Sequence, residues 1–134
     1  MRIAFAADDE NETTRAVVAF LEQDHEVVRV GRSDAWPELG AAVGRAVAGG
    51  DADFGVAMCW TGTGMSIAAN KVPGVRAALA WEAWIAEGAR KWNDANVLAL
   101  SLKRLAPAVA VEVTRTFLST DADPDEAANI ALLD

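Results

Sequence analysis

Strand-like and helix-like segments alternate along this chain almost to its end, with only short turns between them. Arg2–Ala7 reads as a strand, residues 13–22 as a helix with Val17, Phe20 and Leu21 on its apolar face, and residues 26–30 as a second strand closed by Gly31. Pro37 and the Gly49-Gly50 pair bracket a helix over residues 38–48. Phe54–Cys59 is nearly continuously apolar, as a central parallel strand should be. A helix after Gly64 stops before Pro73-Gly74. Residues 75–80 are strand-like, 84–91 helical, 96–100 a fifth strand and 107–118 a long helix. This order predicts a three-layer, Rossmann-like α/β fold with a five-stranded, mainly parallel sheet. Ligands bind such folds at the carboxyl ends of the strands, in the loops that hold Asp8-Asp9, Cys59–Gly64, Trp81-Glu82 and Ser101-Leu102-Lys103.

A length of 134 residues fits one domain with an ordinary core. Residues 119–134 are acidic and read as a tail or a short docking helix over 125–133. Twelve Lys and Arg against 20 Asp and Glu give a net charge of −8, which argues against a nucleic-acid binder. No stretch reaches membrane-spanning length, and Met1–Phe5 runs straight into a strand pattern, so neither a membrane partner nor a secretory leader is expected. One cysteine permits no internal disulfide and fits the reducing cytoplasm. With one histidine beside it, little is left for a zinc site; a carboxylate site for a hard cation stays open, but nothing specific marks one, and no metal is expected.

The chemistry concentrates where the third strand ends. Cys59 is followed by Trp60, Thr61, Gly62, Thr63 and Gly64, and then by a helix-forming run. A strand, a tight turn and a helix N-terminus place the sulfur beside a nest of backbone N–H groups. That arrangement suits removal of a proton from carbon and stabilisation of the resulting charge. The bland reading is a tight turn around a small buried cysteine. Asp8 and Asp9 are either a helix cap or a carboxylate pair for hydroxyl binding and proton shuttling. His25 reads as structural. Trp36, Trp60 and Trp92 are candidate walls of a stacking pocket or plain packing residues.

Taken together, these pieces resemble the ribose-5-phosphate isomerase B and galactose-6-phosphate isomerase family. The run Cys59, Thr61, Gly62, Gly64, Met65, Ser66, Ile67, Ala68, Ala69, Asn70 and Lys71 is similar to the family's central motif, and Asn93, Asp94, Ala95, Asn96, Val97 and Leu98 to its second. The resemblance extends from residue 1 to about residue 118. It implies interconversion of an aldose and a ketose through an enediolate, with Cys59 as the base. Thr61 would orient the substrate, the amides around Trp60–Gly64 would hold the enediolate oxygen, and Asp8 would bind or open the sugar ring. Asp9, Trp60, Gly62, Thr63, Gly64, Asn93, Trp92, Trp36 and Lys103 are the substrate-binding candidates. The resemblance also implies a homodimer or dimer of dimers with shared active sites and no cofactor.

Several positions depart from the family pattern. Asp9, Trp92 and Trp60 stand where the family has two histidines and a glycine, Trp36 where it has a tyrosine, and Lys103 where it has an arginine. The carboxyl end, Asp121–Asn129, is acidic where phosphate-using members are basic. Each charge-assisted hydrogen bond to a phosphate stabilises its complex by roughly 1.5–3 kcal/mol, so a site without these cations binds phosphate poorly. The expectation is an enediol-forming isomerase for a non-phosphorylated or atypical hydroxy-carbonyl substrate. Lys71, Arg90, Lys103 and Arg104 are the available compensating cations. The alternatives are ribose-5-phosphate isomerisation itself, a non-catalytic small-ligand or scaffold protein, and enol chemistry on an apolar ketone.

Overall fold

The computed structural model describes residues 1–133. Strands β1 (Arg2–Ala7), β2 (Glu26–Arg29), β3 (Phe54–Cys59), β4 (Ala77–Leu79) and β5 (Val97–Ser101) form one sheet in the order β2-β1-β3-β5-β4. Every pairing is parallel. The helices between and after them are α1 (Glu12–Asp24), α2 (Trp36–Ala48), α3 (Thr63–Asn70), α4 (Ala83–Asn93) and α5 (Pro107–Ser119). The Rossmann-like α/β architecture expected from the alternation is therefore present, with element ends shifted by no more than two residues. β4 is shorter than the 75–80 reading because the turn through Pro73 and Gly74 leads into Arg76, whose guanidinium and backbone are held by Asp94 and Asn96 before the strand begins.

The three central strands sort side chains by size across the sheet. Ile3, Phe5, Val56, Met58, Leu98 and Leu100 pack on one face with α1, α4 and α5. Ala4, Ala6, Ala57, Cys59, Val97 and Ala99 face α2 and α3 on the other. This is the two-residue period of a strand, with large residues on one side and mostly small ones on the other. The small face lets α2 and α3 lie close to the sheet and to each other. A Cβ on Gly40 would come within 2.7 Å of the Ala68 methyl and 3.0 Å of the Met65 carbonyl, and one on Gly44 within 3.1 Å of the Ala69 carbonyl. Close packing of these helices brings their N-terminal ends, Trp36 and Gly64, together above Cys59.

Two sequence expectations change here. Asp8 and Asp9 do not cap α1; Asn11 does, its side chain accepting from the Thr13 and Thr14 amides while Thr14 Oγ1 accepts from the Asn11 amide. The carboxylates are thus released from that duty. Arg90 is not an available cation either. It is 5% exposed and lies over the rings of Phe54 and Phe117. Its guanidinium donates to Asp94, to the Ala95 carbonyl and to the Thr120 carbonyl. Arg90→Met is expected to lower stability by about 2 kcal/mol, because the buried Ala95 carbonyl loses its charged donor while Asp94 keeps Arg76. Urea unfolding followed by circular dichroism checks this.

The acidic carboxyl end forms a 3-10 turn (Pro124–Glu126), a short helix α6 (Ala127–Ile130) and a second turn (Ala131–Leu133). It lies against α4, where the Asp123 amide donates to the Lys91 carbonyl.

Candidate active site

The chain runs from β1 through α1 to β2 on one side of the sheet's centre, and then through α2 to β3 on the other. The carboxyl ends of β1 and β3 are therefore the point where the winding reverses and a crevice opens. Their register pairs Ala7 with Met58, and the Asp8 amide donates to the Met58 carbonyl at 3.2 Å. The next pair along is Asp8 beside Cys59, and the strand period turns both toward the α2–α3 face.

The turn after β3 is fixed by its neighbours. The Leu102 amide donates to the Cys59 carbonyl at 2.9 Å, and the Ser101 hydroxyl to the Trp60 carbonyl at 2.5 Å. Gly62 caps α3 in the left-handed region, with φ 79°. Its amide donates to the Cys59 sulfur at 3.2 Å, so a backbone N–H faces the thiol directly. The Thr63 amide is taken by Thr61 Oγ1, which also shares a 2.6 Å hydrogen bond with Thr63 Oγ1. No side chain caps α3, which leaves the other first-turn amides of the helix for a ligand. Gly62 thus serves the sulfur, and an enediolate oxygen would have to use the donors beyond it.

Asp8, Cys59, Thr61, Thr63 and Gly64 line a cleft of about 420 Å³, walled by the rings of Trp36 and Trp60. Trp36 lies over Gly64, where an added Cβ would come within 2.8 Å of the ring. Asp8 Oδ1 is buried without a hydrogen-bond partner among the described residues. Burial and the neighbouring Asp9 carboxylate raise the pKa of Asp8, while a backbone hydrogen bond opposes the rise. Asp9 is exposed and behaves oppositely: the Trp60 indole N–H, at 3.0 Å, and the Glu10 amide lower its pKa. The folded protein holds the Asp8 proton more tightly than the unfolded chain, and that contribution is lost as pH rises through the raised pKa. Asp8→Asn is accordingly expected to unfold at slightly higher urea than the parent at pH 7. The difference should close below the ordinary carboxylate pKa, in paired titrations at pH 7 and about pH 3.

The other candidates fall outside this cleft in their own chain. Trp92 packs over Gly88 and edge-on to Trp84, with ring centroids 5.8 Å apart, and Asn93 lies beside it at the end of α4. Lys103 stands with its ammonium 4.5 Å from the centre of the Trp60 ring. Lys71 follows the far end of α3, about 12 Å along the helix from its N-terminus. No described residue of the acidic carboxyl end lines the cleft. Sequence alone marks Ser101 only as part of a loop, because its work of fixing the Trp60 carbonyl depends on β5 lying next to β3. No helix among the described residues is long and apolar enough to cross a membrane.

A parallel sheet with a cysteine at its switch point, beside a glycine-capped helix, defines a class with known members. Residues 3–131 match the Ribose/Galactose Isomerase family, and the chain belongs to that family. It is 38% identical over 86 residues to ribose-5-P isomerase B of Listeria innocua, covering 64% of this chain and 58% of that protein. It is 34% identical over 98 residues to D-erythrulose-4-phosphate isomerase of Pectobacterium atrosepticum, covering 73% and 64%. The chain thus aligns with less than two thirds of the length of either relative. Among solved structures, ribose-5-phosphate isomerase B of Clostridium thermocellum superposes with a TM-score of 0.92 at 33% identity, covering 99% of this chain and 95% of that one.

Proposed function

We propose that this chain is a cofactor-independent aldose–ketose isomerase that works through an enediolate with Cys59 as its base. The observation that carries the reading is the Cys59 sulfur at the floor of the cleft, facing the Gly62 amide at 3.2 Å beside the N-terminus of α3. The thiolate takes the proton from C2 of the open-chain aldose. The C–H electrons form the C1=C2 bond and move the carbonyl electrons onto O1. First-turn amides of α3 and the Thr61 hydroxyl stabilise that oxygen. The thiol then returns its proton to C1 while the O2 proton passes to O1, and the ketose forms with no net oxidant or reductant. Asp8, with its unpartnered oxygen, receives a substrate hydroxyl and assists ring opening.

The cleft supports a non-phosphorylated hydroxy-carbonyl substrate. Asp8 is the charged residue among those lining it, and two aromatic rings form its walls. Trp92 and Asn93, remote from the cleft of their own chain, serve the cleft of a second copy in a homodimer or dimer of dimers. Ribose-5-phosphate isomerisation is the second reading, favoured by the relatives' names. Carbon-13 NMR of free and phosphorylated tetroses and pentoses, incubated with the protein, tests both. Aldose–ketose interconversion of a free sugar supports the first reading, and conversion of phosphate esters alone supports the second. No conversion of any of them points to a binding protein.

A further inference from the structure

Asp94 is, among the described residues, the one non-glycine residue at positive φ, with φ 46° and ψ 46°. It ends α4, where its amide and that of Ala95 donate to the Arg90 and Ala89 carbonyls. That ending needs backbone alone, and glycine adopts it without the strain a side chain brings. The carboxylate has a different use. Oδ1 accepts from Arg90 at 2.8 Å, Oδ2 accepts from Arg76 at 3.3 Å, and the Asp94 carbonyl accepts from Arg76 Nε at 2.7 Å. One residue thus ties the end of α4 to the approach of β4 and to the buried Arg90 guanidinium. Buried ion pairs contribute little net stability compared with apolar packing, and they serve better to hold one arrangement against others. Backbone held in a strained region is also most often found where a site must be kept in shape.

What the bridge holds is the pair just before it. Trp92 and Asn93 are both exposed, and no hydrogen bond to another described residue engages the Asn93 side-chain amide. An amide able to donate to a hydroxyl and to accept from one is thereby presented outward on a rigid support, away from the cleft of its own chain.

We propose that Asp94, bridged by Arg76 and Arg90, is a positioning residue that fixes Asn93 for the cleft of a second copy, and so acts on the Cys59 chemistry of that copy rather than of its own. The effect on Cys59 rests on the isomerase reading, but the holding of Asn93 can be measured without turnover.

Asp94→Gly keeps the left-handed turn and removes the carboxylate, whereas Asp94→Asn keeps both the turn and an acceptor oxygen. Asp94→Gly is expected to lower kcat at least about tenfold, and Asp94→Asn to recover most of that loss. Two defective chains then separate action across copies from stability within one. Asp94→Gly and Cys59→Ala chains, carrying different affinity tags, are co-expressed and purified on both tags. In each mixed pair the intact Cys59 of one chain meets the Asn93 of the other, whose Asp94 is also intact. Turnover should return to about half the parent rate per pair, because one of two clefts is complete. A role confined to the folding of its own chain would leave the mixed pair as slow as Asp94→Gly. As a readout without turnover, the heteronuclear nitrogen-15 NOE of the Asn93 side-chain amide should be high in the parent, fall in Asp94→Gly and return in Asp94→Asn. No recovery in the mixed pair, no doubly tagged assembly, or an NOE unchanged in Asp94→Gly would each overturn the proposal. A parent that converts sugars while the mixed pair stays slow retains its chemistry and loses this positioning. A parent that converts no sugar, with the NOE changing as stated, keeps the clamp on Asn93 and loses the isomerase reading.

Discussion

Cys59→Ala is expected to reduce isomerisation by about a thousandfold or more, because in the proposed mechanism the substitution removes the proton-transferring group itself. Cys59→Ser should fare little better. A serine hydroxyl keeps the size and accepts from the Gly62 amide, but it does not ionise in the working range. The fold should survive both changes. Cys59 is 5% exposed at the end of a strand whose core packing lies mainly before it, so removal of its sulfur is expected to lower stability by about 1 kcal/mol. Rates measured on variants with parent-like circular dichroism separate the two effects. A variant that folds and still turns over would mean that another group carries the proton.

Gly62→Ala should damage stability and turnover together. A left-handed φ costs an alanine about 1–2 kcal/mol. The new methyl would also sit 2.9 Å from the Leu100 carbonyl carbon, 3.1 Å from the Ser101 amide and 2.5 Å from Leu79 Cδ1. Backbone on β5 cannot move aside as a side-chain tip can, so the total is expected near about 3 kcal/mol. The same shift would draw the Gly62 amide away from the sulfur and tilt the first turn of α3. Urea unfolding should show the loss of stability, and turnover of the folded fraction should fall at least about tenfold. Parent-like values of both would show that the turn tolerates a side chain.

How much of the molecule is readable in its sequence follows the range of the interactions involved. The apolar run Phe54–Cys59, the Gly62–Gly64 turn and the strand–helix alternation are local patterns, and they place the sulfur at a strand end beside a helix N-terminus. The neighbour of that sulfur is not local. Asp8 stands beside Cys59 because β1 pairs with β3 in a register where Ala7 faces Met58. The bond from Trp60 to Asp9 likewise spans 51 positions. Arg90 reads as a surface cation because the apolar surface beneath it comes from Phe54 and Phe117, each far along the chain. The capping role open to Asp8 and Asp9 belongs to Asn11, and the Asn11 and Thr14 pair that shows it lies only three residues apart. Asn70 is the last residue of α3, and its side-chain amide also clamps the backbone of Ala77 at the edge strand, at 2.7 and 2.9 Å, a contact that depends on where β4 lies.

The central claim is that one sulfur moves a proton between adjacent carbons of a hydroxy-carbonyl substrate. The most direct measurement is proton NMR in D₂O, with free and phosphorylated tetroses and pentoses added separately to the parent protein and to Cys59→Ala. Deuterium is expected at C1 or C2, at no other carbon, and only with the parent protein. Equal labelling by Cys59→Ala, or labelling beyond C2, would contradict it.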